Sequence, residues 1–74
     1  MEFTIEPFHE GRPGLHVTAP VAALHDMGVD VAVGPFGSSC EVDDATAGEV
    51  AATIVRIALE HGASHVNVDI EGVP

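Results

Sequence analysis

The sequence predicts an α+β sandwich, in the order βαββαβ, with four antiparallel strands in one sheet and two helices on one face of it. Three observations predict it. Apolar side chains alternate with polar or small ones in four short runs, near 2–6, 29–33, 38–42 and 65–71. Two longer runs between them carry apolar residues at helical spacing instead. Each helical run closes on a glycine, Gly28 or Gly62, with a strand pattern soon after.

In the first strand, Phe3 and Ile5 alternate with Glu2, Thr4 and Glu6, and Pro7 limits it. Residues 9–14 form a turn cluster. Val17, Val21, Leu24 and Gly28 then mark one face of a helix that is expected to begin near His16–Thr18, with Pro20 accommodated in its first turn. Val29, Val31 and Val33 make the second strand. Gly34-Pro35-Phe36-Gly37 turns the chain into a third, carried by Ser38, Cys40 and Val42, so that the two form a hairpin. Thr46 and Glu49 have the spacing of a capping box, and Val50, Ile54, Ile57 and His61 continue the second helix. Val66, Val68 and Ile70 complete the fourth strand. Right-handed crossovers turn this order into a ferredoxin-like sandwich with its first and last strands adjacent. Residues 1–74 are read as a single such domain.

Composition narrows the function classes. The chain has 74 residues, two cations (Arg12 and Arg56) against twelve acidic side chains, and a formal charge of −10. Nucleic acids and anionic membranes call for clustered cations, so neither is expected as a partner. The absence of lysine excludes Schiff-base chemistry and a P-loop. Cys40 is the only cysteine, which excludes a disulfide framework, and its inward strand position suits a buried, inert thiol. The five histidines show no metal-ligand spacing, and no nucleophile or acid–base pattern stands out. No catalytic residue, metal or cofactor is therefore assigned, and the protein is expected not to be an enzyme. With neither a secretory signal nor a membrane-length apolar run, a cytoplasmic location is expected.

Two regions remain for function. Alternation places Glu2, Thr4, Glu6, Asp30, Ala32, Ser39, Glu41, His65, Asn67, Asp69 and Glu71 on the sheet face that the helices leave bare. That face reads as a solvated surface, and two functional readings compete with it: a subunit interface, or a pocket whose carboxylates suit a cationic or aminated ligand. The Gly34–Ser39 turn is the other. Its glycines admit close approach of a ligand, Phe36 offers a ring face, and Ser38 and Ser39 supply hydroxyls; an ordinary hairpin turn with Phe36 packed on the core accounts for the same residues.

The run from Gly28 to Glu41, GVDVAVGPFGSSCE, resembles the hairpin of the small thiamine-binding proteins, which carry a Gly-Pro-(Phe or Met)-Gly-Thr turn followed by a strand ending in Glu-Gly. The opening EFTIEPF at 2–8 and the HGASHV at 61–66 are also similar to that family, so the likeness extends over nearly the whole chain. Ser38 stands for the usual Thr and keeps the hydroxyl, Val42 stands where Gly is common, and Pro20 is unusual within the first helix. The resemblance implies a ferredoxin-like fold and non-catalytic capture of thiamine or its hydroxymethylpyrimidine portion as a small-molecule ligand. It also implies a homo-oligomer joined through sheet faces or edges. On that reading Gly34, Pro35, Phe36, Gly37, Ser38 and Ser39 shape the site, Phe36 walls the ring, Glu41 and the serines hydrogen-bond to it, and Glu6 is a charge partner. A regulatory or scaffolding domain that uses the bare face for protein contacts is the alternative.

Overall fold

The computed structural model describes residues 1–7, 13–34 and 37–72. Its elements follow the order β1 (Glu2–Glu6), α1 (Leu15–Asp26), β2 (Val31–Gly34), β3 (Gly37–Cys40), α2 (Asp44–Glu60) and β4 (His65–Asp69). The strands form one antiparallel sheet in the order β2-β3-β1-β4. This is the expected ferredoxin-like α+β sandwich, with the first and last strands adjacent. Among the described residues no helix is long and apolar enough to cross a membrane.

Register divides each strand between two faces. Phe3 lies opposite Ser38 and Val68, and Ile5 opposite Val66, in the rows that face the helices. Phe3, Ile5 and Cys40 from the sheet close on Leu24 from α1 and on Val50, Ile54 and Ala58 from α2 to make the core. Burying apolar surface in this way is the main force holding the two layers together.

Both helices stop in the same way. After α1 the Gly28 amide donates to the His25 carbonyl and the Val29 amide to Leu24; after α2, Gly62 donates to Leu59 and Ala63 to Ala58. Gly28 at φ +82° and Gly62 at φ +91° occupy the left-handed region that this paired closure requires. Each glycine thus turns the chain out of a helix and towards the next strand.

Four expectations need correction. Helix α1 begins at Leu15, so Pro20 lies inside it beyond the first turn, and its buried face is His16, Pro20 and Leu24. Val17 and Val21 are only half-buried beside that face. The compact proline ring packs fully into the interface and offsets part of its lost hydrogen bond. The N-cap of α2 is Asp43 rather than Thr46, whose hydroxyl instead donates back to the Asp43 carbonyl at 3.2 Å. Asp44 in the first turn suits the positive end of the helix dipole. Strands β2, β3 and β4 begin or end a residue or two from the expected positions, at Val31, Cys40 and Asp69. Alternation with the bare-face residues puts Val33 and Ile70 on the helix side, yet they are 63% and 50% exposed. Val33 sits near the far end of an edge strand and Ile70 just past the end of β4, at the margins of the helical layer.

Candidate functional site

The bare face of the sheet is built from two neighbouring rows. One runs Ala32, Ser39, Glu2, Asp69 across β2, β3, β1 and β4. The next pairs Gly34 with Gly37 and Thr4 with Asn67, and Gly37 abuts Thr4. With no side chains at Gly34 and Gly37, the face sinks there into a depression of about 480 Å³. A Cβ on Gly37 would come within 3.0 Å of Thr4 Cγ2 and 3.2 Å of the Phe3 carbonyl oxygen; one on Gly34 would lie 3.1 Å from the Gly37 carbonyl oxygen. The glycines therefore keep the hollow open and let the strands approach there.

The chemistry of the lining is mixed. Thr4 and Ser39 carry hydroxyls, Asn67 an amide, and Glu2 and Asp69 carboxylates. Glu2 and Asp69 stand directly opposite one another across β1 and β4, a cross-strand pairing of like charges that costs stability. Among the described residues the only ion pair is Arg56 with Glu60 at 3.6 Å, exposed on α2, so that repulsion is not answered by a cation there. The hollow is thus suited to a ligand that brings hydrogen-bond donors and positive charge.

The expected site residues are not all brought together. Gly34, Gly37 and Ser39 line the hollow. Ser38 borders it, but its side chain shares the helix-facing row of Phe3 and Val33 and is only 8% exposed, so its hydroxyl does not belong to the bare face. Period-2 geometry makes this unavoidable: of two consecutive serines in a strand, only one can face each side. Glu41, just past the end of β3, lines an adjoining hollow with Gly28 and Asp30 that shares Glu2, Ala32 and Ser39 with the first. Glu6 pairs with His65 at the opposite end of β1. Pro35 and Phe36 lie outside the described residues. Glu2, Thr4, Asn67 and Asp69 were read as bare-face residues but not as site residues; their signal was the alternation itself, which lacked only the register.

Two further groups are settled by their surroundings. Burial pushes the Cys40 thiol pKa up, and the N-terminal ammonium draws it partly back. That ammonium donates to the Cys40 carbonyl at 2.9 Å. His16 is buried, with Nε2 against the Pro7 carbonyl, so this nitrogen carries the proton and donates. Gly14 makes room for the ring, since a Cβ there would lie 2.7 Å from His16 Nδ1. Among the described residues no three His, Cys, Asp or Glu side chains come together to hold a metal ion. Compared with protein-family models, curated proteins and solved structures, the chain matches none.

Proposed function

We propose that this protein is a cytoplasmic, non-catalytic binder of thiamine or its hydroxymethylpyrimidine portion, acting as a homo-oligomer. The observation that carries the reading is the glycine-floored hollow on the bare sheet face, with hydroxyl, amide and carboxylate groups converging on it. Its volume falls within the range of roughly 300–1,000 Å³ common to small-molecule sites. An aminopyrimidine presents a ring nitrogen and an exocyclic amine, which Thr4, Ser39 and Asn67 complement as donors and acceptors. The positive thiazolium of thiamine complements Glu2 and Asp69. In this version of the site Glu2 and Asp69 take the role first expected of Glu6, and Glu41 borders the adjoining hollow that shares Glu2 and Ser39. A phosphorylated ligand would meet the same carboxylates as repulsion.

Titration calorimetry with thiamine, its pyrimidine and thiamine phosphate tests the reading. Thiamine is expected to bind, the phosphate ester to bind more weakly, and Glu2→Gln to weaken thiamine by about tenfold or more, the size of a lost charged hydrogen bond. Phe36→Ala is expected to weaken it as well. An absence of heat and of thermal shift with both thiamine and its pyrimidine would overturn the proposal. Assembly that persists without any response to these ligands would instead favour the scaffolding role.

A further inference from the structure

We infer that two copies of this chain join through the outer edge of β4, strand to strand and antiparallel, to give one continuous sheet. The inference rests on the homo-oligomeric part of the function proposed above and names the surface. β4 ends the sheet, with β1 on its inner side and no strand on its outer side among the described residues.

Its free backbone groups can be assigned. The Met1 and Cys40 main chains exchange both hydrogen bonds, at 2.9 and 2.8 Å, so Met1, Phe3 and Ile5 aim their amides and carbonyls at β3. By alternation Glu2, Thr4 and Glu6 aim theirs at β4, and their partners Asp69, Asn67 and His65 aim back. Val66 and Val68 are left with amide and carbonyl pointing outwards, a template for a further strand.

The strand His65-Val66-Asn67-Val68-Asp69 is complementary to itself when reversed. A two-fold axis at Asn67 places Val66 of one copy opposite Val68 of the other, and the outward backbone groups of those residues pair. The same register sets His65 opposite Asp69 of the second copy, twice over, and Asn67 opposite Asn67. These are the non-hydrogen-bonded positions of the ladder, where side chains approach most closely. An imidazole N–H there meets the Asp69 carboxylate, the same group that faces Glu2 unrelieved within one copy. Glu6, opposite His65 on β1, adds a second acidic neighbour to that imidazole.

The other free edge has no such code. β2 is Val31-Ala32-Val33-Gly34, without a charged or hydrogen-bonding side chain to choose one register from the next. The general repulsion between two chains of charge −10 is screened beyond about 8 Å at physiological ionic strength, whereas the paired side chains are in contact. Asn67 and Asp69 also line the ligand hollow, so joining at β4 sets two hollows on one extended face.

Sedimentation equilibrium of the full chain, followed by interference because Trp and Tyr are absent, tests the surface. The expected species is a dimer whose Val66 and Val68 amides are protected from hydrogen exchange and lose protection on dilution. His65→Asp is expected to raise the dissociation constant at least tenfold by setting acid against acid. The exchange His65→Asp with Asp69→His is expected to restore it. A dimer whose Val66 and Val68 amides exchange freely, or one indifferent to His65→Asp, would overturn the β4 assignment while leaving the homo-oligomer in place. A monomer at every concentration would overturn both. Thiamine calorimetry reads the binding part of the function independently of either result.

Discussion

The two faces of the sheet share every strand and yet do opposite work. On the helix side, Phe3, Ile5 and Cys40 are buried against Leu24, Val50 and Ile54. On the bare side, the intervening Glu2, Thr4 and Ser39 line an open hollow. One residue's step along the chain separates a position selected by packing from one free to carry charge. The covered face is built from groups that attract one another, whereas the bare face sets Glu2 against Asp69. The side chains that hold the layers together and those that line the hollow are therefore separable, position by position.

The largest effect should come from breaking the covered face. Ile54 is fully buried, and Ile54→Ala is expected to cost about 2–5 kcal/mol, measured by denaturant unfolding. In a domain of this size such a loss consumes much of the native margin. A change below about 1 kcal/mol would show that the helices do not hold the sheet as tightly as their burial implies.

A smaller effect is expected where the two faces meet. Gly37→Ala places a methyl within 3.0 Å of Thr4 Cγ2 and 3.2 Å of the Phe3 carbonyl oxygen, and should destabilise by about 1–3 kcal/mol through overcrowding. It should also weaken thiamine binding, because the methyl enters the floor of the hollow. Binding unchanged alongside lowered stability would remove Gly37 from the ligand surface.

The smallest effect is the most discriminating, because its sign differs from the others. Asp69→Asn relieves the cross-strand repulsion with Glu2 and is expected to stabilise the isolated chain by about 0.2–1 kcal/mol in unfolding at low salt. The same substitution should weaken thiamine. Lowered stability of the monomeric chain would show that Asp69 holds the fold, and unchanged affinity would remove it from the ligand surface.

Much of the fold was legible because its signals are local. Phe3 and Ile5 announce a strand, and Gly28 and Gly62 announce helix ends, within a few residues of themselves. The errors fall where a choice depends on distant packing. Pro20 reads as a first-turn residue until the fully buried ring shows what holds it within the helix. Thr46 and Glu49 have capping-box spacing, but Asp43 and Asp44 reach the helix start first. Ser38 and Ser39 look equivalent in a turn motif, yet alternation with Cys40 already sets Ser38 inwards, and its pairing with Phe3 agrees; only the resemblance put both hydroxyls in one site.

The sequence by itself determined the number and order of the elements and which residues alternate to each face, because the 2.0 and 3.6 residue periods are written in neighbouring positions. Tertiary structure alone decided that Glu2 lies between Ser39 and Asp69, beside the glycine pair, that Glu6 meets His65 at the other end of β1, and that Glu41 borders the adjoining hollow. The reason is that hydrogen-bond register joins residues far apart in the chain, and no local period records which distant row a strand will meet.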